Sequence, residues 1–237
     1  MLVHGAFADA SSCAPEVTRL HDLGYTVYAP ANPLRSLSGD AAYIKSFLQT
    51  IDGPVILVGR SYGGAVITQA AAGLKNVKAL AYVAAFVLDK GEGAAIVLSA
   101  DKYPGSLLTP DKLVVRKYPG SSAPGGTNAD LYINPNDFQA IFANDNSSAK
   151  ATELALTQRP LSQSAFGEAL DVEPAWKTLP TWDLVTLNDH ANSPAGQKFM
   201  AARASARTTT IHAAHDVSLP RPDAVDKVIL DAAASSH

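Results

Sequence analysis

The rhythm of the first ninety residues constrains the fold of this chain most. Short apolar and β-branched runs, Leu2-Val3, Tyr25 to Ala29, Val55 to Val58 and Ala79 to Ala84, alternate with stretches of helical pattern. Strands of that kind, separated by helices, mark βαβ units and a parallel sheet covered on both faces. The helical stretches are "APEVTRLHDLG", ending at Gly24, "DAAYIKSFLQTI", ending before Gly53-Pro54, and "YGGAVITQAAAGL", ending at Gly73. Proline near a start and glycine past an end fit this reading. Proline has no N–H to waste in the first turn, and glycine tolerates the cap conformation.

From about Asp89 to Glu173 the rhythm stops, and Gly, Pro, Ser and Asn gather in "YPGSSAPGGTN" and "INPND" among short helical pieces such as "DFQAIFAND". So long an interruption inside a compact domain is expected to be a cap over a site. The rhythm then returns with a strand from Trp182 to Leu187, a helix "SPAGQKFMAARA" capped by Ser193, a strand from Thr208 to His212, and a helix "PDAVDKVILDAAA" before a frayed tail, "ASSH". The expectation is one α/β domain built on a mostly parallel, doubly wound sheet, with a core of 1–88 and 174–237 and a cap insertion of 89–173.

Charge narrows the partners. Nineteen basic against twenty-two acidic residues give a net charge of -3, without the cationic excess that attracts phosphate backbones or anionic membranes. Nucleic acid and membrane are therefore not expected partners, and the longest uncharged stretch, broken by Lys78, is too short to span a bilayer. A single cysteine, Cys13, excludes an intramolecular disulfide. The chain enters a core strand at once without a leader pattern, so a cytoplasmic location is expected, with export the alternative if a leader was removed. Self-association as a homodimer is left open.

Chemistry concentrates in "VGRSYGGA". A serine hydroxyl is a poor nucleophile at neutral pH, so acyl transfer needs an adjacent base and donors for the oxyanion. Gly59 and Gly63 flank Ser61 in a G-x-S-x-G turn, which lifts a serine above the sheet between a strand and a helix. Ser61 could instead be an ordinary helix N-cap, and partners downstream favour the nucleophile. Asp189 follows the strand "WDLVTLN" and His215 follows "TTTIHAA", giving the order Ser, Asp, His. His212 is the alternative base, and Asp183 or Asp89 the alternative acid. His21, His190 and His237 do not sit on the loop after the last strand. The amides of Tyr62 and of Ala6, in "HGAF", are the expected oxyanion donors.

No H-E-x-x-H, C-x-x-C or G-x-G-x-x-G pattern competes, so neither metal nor dinucleotide cofactor is expected. Among aromatic residues, Phe7, Phe86, Tyr103, Tyr132, Phe138 and Phe142 are possible pocket walls, with Phe7 and Phe86 the chosen pair.

The stretches "LVHGAFADASS", "GYTVYAPANPLRSLSGDAAYI", "IDGPVILVGRSYGGAVITQAA" and "HDVSLPRPDAV" together resemble a bacterial branch of the α/β-hydrolase superfamily, similar to the plant methylesterase and hydroxynitrile lyase group. The resemblance implies Ser61, Asp189 and His215 as triad, and Ala6 and Tyr62 as oxyanion amides. It departs at Arg60, where relatives usually carry His, at Cys13 in place of Trp, and at Asp216, where the lyases carry Lys. A buried Arg60 would need a carboxylate or carbonyl partner. The function expected is a cofactor-independent serine esterase acting on small, mostly apolar esters. The alternatives are a receptor-like binding protein with little turnover, or a lactone hydrolase, C–C hydrolase or lyase.

Overall fold

A computed structural model describes residues 1–99, 101–120 and 126–235. Five parallel strands form the central sheet in the order β1 (Leu2–Val3), β2 (Val55–Arg60), β3 (Val77–Val83), β7 (Thr181–Thr186), β8 (Arg207–Ile211). Registers such as Leu2 opposite Val58, Arg60 opposite Val83 and Thr186 opposite Ile211 align the strands so that all end at one edge. Segments leaving that edge carry Ser61, Asp189 and His215.

Two layers cover the sheet. On one face α1 (Ala14–Asp22) and α9 (Pro222–Ala234) pack with Leu2, Val58, Val83 and Leu184. On the other, α2 (Leu37–Leu48) and α3 (Tyr62–Ala70) join a larger core with Leu57, Leu80 and Tyr82. Helix α8 (Pro194–Arg203) begins as read, with the Ser193 hydroxyl accepting from Gly196 N–H and Pro194 in the first turn.

Three details differ from the sequence expectations. Tyr25 to Ala29 forms no strand, since β1 offers only two residues to pair with it. A single bond, Leu2 N–H to Tyr28 O at 2.8 Å, joins them, and Pro30, without an N–H, follows. Helix α2 begins at Leu37, ahead of the stretch "DAAYIKSFLQTI" that starts at Asp40, because Ser36 caps Gly39 N–H and Glu168 accepts from Leu37 and Ser38 N–H. Residues between β3 and β7 also contain an antiparallel sheet that the turn-rich composition hid: β4 (Leu113–Pro119), β5 (Thr127–Ile133) and β6 (Leu161–Ser162). Its inward positions Leu131 and Ile133 are buried, whereas Val115 is half exposed.

Four short helices accompany that sheet: α4 (Ala94–Val97), α5 (Pro135–Phe142), α6 (Ser148–Thr157) and α7 (Gln163–Gly167). Of the "DFQAIFAND" segment, Asp137 to Phe142 is helical in α5 and the last three residues leave the helix; Phe138, Ile141 and Phe142 are buried in the larger core. Part of "YPGSSAPGGTN" and the end of the tail, including His237, lie outside the described residues.

Candidate active site

Ser61 sits between β2 and α3 with φ 52° and ψ −125°, a left-handed conformation that a residue with a side chain adopts only when its surroundings enforce it. Three backbone bonds enforce it here: Ser61 N–H to Val83 O, and Phe86 and Gly64 N–H to Ser61 O. The flanking glycines are required sterically. A Cβ at Gly63 would fall 2.3 Å from Val3 O, and one at Gly59 would fall 2.6 Å from Gly63 O. Although Ser61 occupies the residue before the helix, its hydroxyl caps nothing. It lies instead 2.9 Å from His215 Nε2.

His215 leaves the end of β8, and its Nδ1 lies 2.7 Å from Asp189 Oδ2, beyond the end of β7. Both side chains are buried. Asp189 has a donor for each lone-pair region: Ala191 and Asn192 N–H at 2.8 Å on Oδ1, and the Thr186 hydroxyl and Gln197 Nε2 at 2.9 Å on Oδ2. A carboxylate so held is fixed in orientation, and it fixes the imidazole with Nδ1 protonated and Nε2 free to accept from the hydroxyl. Thr186 and Gln197 were not identified from sequence. Gln197 lies on α8, and only the fold brings that helix under the acid.

The other acids and histidines stand apart from the relay. Asp183 is buried within β7, neither oxygen has a donor, and burial raises its carboxyl well above the usual range. Asp89 pairs with Lys177 at the surface. His212 is exposed beside Asn188, His21 is exposed, and His190 Nδ1 donates to Ala140 O. His4, fully buried, accepts the Asn32 N–H on Nε2 at 2.9 Å, and burial lowers its imidazole to about 4, which keeps it neutral. It thereby ties the turn after β1 to the Pro30–Pro33 segment.

Ala6 and Tyr62 border the same cavity as Ser61, and among the described residues neither amide donates a hydrogen bond. Neighbouring Phe7 is itself left-handed at φ 59°, which shapes that turn. The Tyr62 phenol points away, donating to Asp40 at 2.9 Å. The cavity is small, about 20 Å³, and its walls are apolar: Phe7, Phe86, Leu98, Leu108, Phe142 and Phe166 among them. Phe7, Phe86 and Phe142 border the same cavity, while Tyr103 stacks near Phe199 and Phe138 packs on Phe142. A groove of about 600 Å³ lies elsewhere, between Tyr25–Tyr28 and the start of β2, and touches none of these residues.

Arg60 is 3 % exposed, and it has both kinds of partner that its burial requires. Its Nη2 donates to Asp216 Oδ1 at 3.0 Å and to His215 O at 3.1 Å. Cys13, with burial pushing its thiol up to about 12, is inert at neutral pH. Among the described residues no group of three His, Cys, Asp or Glu gathers to hold a metal, and no helix is long and apolar enough to cross a membrane.

A hydroxyl, an imidazole and a carboxylate in line at the C-terminal edge of a parallel sheet, the first on a strained strand-to-helix turn, define the α/β-hydrolase architecture. The model of the alpha/beta hydrolase family matches residues 1–228, and the chain belongs to that family. Its fold is similar to that of polyneuridine aldehyde esterase, with a TM-score of 0.81, 18% identity, and coverage of 98% of this chain and 97% of that one. A pyrethroid hydrolase from Sphingobium faniae JZ-2 superposes with a TM-score of 0.79 at 20% identity over 98% and 96% of the two chains. A methylesterase from Arabidopsis gives 0.77 at 17% identity over 99% and 98%. Among curated proteins none matches the sequence significantly.

Proposed function

We propose that this protein is a serine esterase that cleaves small, mostly apolar carboxylic esters through an acyl-enzyme. The observation that carries the reading is the continuous relay Ser61 Oγ, His215, Asp189, with separations of 2.9 and 2.7 Å in a buried setting. Esterase names among the structural neighbours are consistent with it, though at under a quarter identity they speak to the fold.

In this reading His215 Nε2 takes the Ser61 proton as Oγ attacks the ester carbonyl. The imidazolium formed is stabilised by Asp189, whose orientation four other donors hold. The tetrahedral oxyanion turns toward the unpaired amides of Ala6 and Tyr62. The latter is the first amide of α3, where the helix dipole adds to the attraction. Collapse expels the alcohol, which takes the proton from His215. Water then repeats the sequence on the acyl-enzyme, with His215 again as base. A wall of Phe and Leu side chains favours an apolar acyl or alcohol group. A cavity of about 20 Å³ holds little more than one water, so those side chains must part to admit substrate.

The test is a fluorophosphonate probe followed by a panel of p-nitrophenyl and methyl esters on the enzyme and its Ser61→Ala variant. A Ser61 adduct with Ser61-dependent ester turnover is expected. No adduct would refute the nucleophile, and an adduct without turnover on any ester would favour a binding role.

A further inference from the structure

The least ordinary residue of the site is Arg60, which precedes the nucleophile and points away from it. Its guanidinium joins two residues of the base loop and a ring at the end of α5. Nη2 holds the carbonyl of His215 itself and the carboxylate of Asp216, at 3.1 and 3.0 Å. Its Cζ lies 5.2 Å from the centre of the Phe142 ring, and that ring meets the His215 imidazole edge to face, with centroids 4.8 Å apart. Phe142 thus contacts both the guanidinium and the imidazole. The loop is also held by Asp216 N–H to Phe142 O at 2.9 Å and by Ala214 N–H to Asp145 Oδ2 at 2.8 Å.

We propose that Arg60 and Asp216 act as a positioning pair for the base, fixing the His215 loop against the nucleophile turn and balancing charge around the imidazole. The proposal rests on the esterase reading above, in which the imidazolium forms and decays twice per turnover. A lone buried guanidinium this close would oppose each formation of that cation. Asp216 offsets it, and the pair presents little net charge to the ring.

Several other groups face the pair. Asp145 and Lys150 flank Asp216 from the α5–α6 side, with Asn146 Nδ2 3.5 Å from its second oxygen. Glu16 and Cys13 approach Arg60 from the α1 side and His4 from the end of β1. Arg60 Nε and Nη1 find no acceptor among the described residues. Both partners are nearly inaccessible, with side-chain exposures of 3% and 2%, so salt should screen the pair little.

The two halves of the pair should fail differently. Asp216→Asn keeps a hydrogen-bond acceptor for Nη2 but leaves the arginine charge unopposed. The acidic limb of kcat/KM against pH should then move to lower pH by on the order of one unit, with KM little changed. Arg60→Met leaves Asp216 able to neutralise itself by taking a proton, since burial already raises its carboxyl. The limb should move little, while kcat falls roughly 10- to 100-fold through loss of loop registration. Arg60→Lys, which keeps a donor and the charge, should recover part of kcat.

The experiment measures these profiles on a p-nitrophenyl ester, with circular dichroism as a fold check. It also follows the His215 imidazole by NMR titration in each variant. An Asp216→Asn limb and imidazole titration that superimpose on the parent, or an Arg60→Met enzyme with unchanged kcat, would overturn the proposal. If the parent itself shows no turnover, the esterase reading fails, while the NMR titrations still decide the charge coupling. Should Arg60→Met not fold, Arg60→Lys and Asp216→Asn carry the same comparison.

Discussion

Glu16→Gln should raise the stability of this protein above neutral pH and leave it nearly unchanged in acid. Glu16 lies in the first turn of α1, is fully buried, and neither carboxylate oxygen has a donor in hydrogen-bond geometry. Around it a cavity of about 10 Å³ is lined by Val3, Val58, Val83 and Val225, with Cys13, Arg60 and Ser218 as the polar neighbours. Burial pushes the carboxyl up to about 7 from an ordinary 4.5, against weaker lowering by its backbone amide, Ser218 and Arg60. Between those two values the folded protein holds a proton that the unfolded chain has lost. Stability therefore declines as pH rises through this window and is level above it. At 1.36 kcal/mol per pH unit, the full window corresponds to about 3 kcal/mol.

Glutamine has the same shape and never ionises, so it escapes that decline. In a chain of this length the difference amounts to roughly 6–12 °C in Tm at pH 8.5, shrinking toward zero near pH 4.5. Wild-type stability will not itself show the decline cleanly. His4, lowered to about 4, and the Met1 amino group, lowered to about 5, are buried neutral bases, and they make stability rise with pH over the same range. The difference between variant and parent cancels both contributions. Urea or thermal unfolding of the two proteins at intervals from pH 4.5 to 8.5 measures it. Parallel stability curves would refute the reasoning, because they would mean that Glu16 is ionised or neutral alike in both states.

Gly63→Ala should destabilise the protein and abolish probe labelling at Ser61. The new Cβ would meet the Val3 and His4 carbonyls, which are backbone atoms unable to swing aside; overpacking of this kind costs about 1–3 kcal/mol or more, and unfolding with labelling measures both. His215→Ala should lower ester turnover by several orders of magnitude with an unchanged circular dichroism spectrum, and retained activity would reassign the base. Gln197→Met, similar in size, strips a donor from Asp189 and an acceptor from Thr186 N–H. It should lower kcat more than it raises KM, and a change confined to KM would remove Gln197 from the orientation of the acid.

Much of this architecture is visible in local patterning. Periodicity alone separates the apolar runs of β2, β3 and β7 from the helices between them, because strands buried on both faces carry no polar alternation. Ser193 and Pro194 mark the start of α8 by local capping chemistry, which needs no distant partner. The antiparallel sheet of β4 to β6 was less legible. Its strands are partly exposed and of mixed polarity, and turn residues flank them. Tyr25 to Ala29 erred the other way: its residues suit a strand, but pairing depends on what lies beside it.

The candidate site divides along the same line. The sequence by itself determined the G-x-S-x-G turn, the chain order of Ser61, Asp189 and His215, and the glycine positions, since these follow from local sterics and from the ends of predictable strands. Only the tertiary structure decided that His215 and not His212 faces Ser61, that Asp183 is sealed inside the sheet, and that Thr186 and Gln197 hold the acid. It alone gave Arg60 its partners, 155 and 156 residues away in sequence. The physical reason is that a hydrogen bond or a buried charge is settled by distances of about 3 Å between segments remote in sequence, and no local pattern records which segments meet.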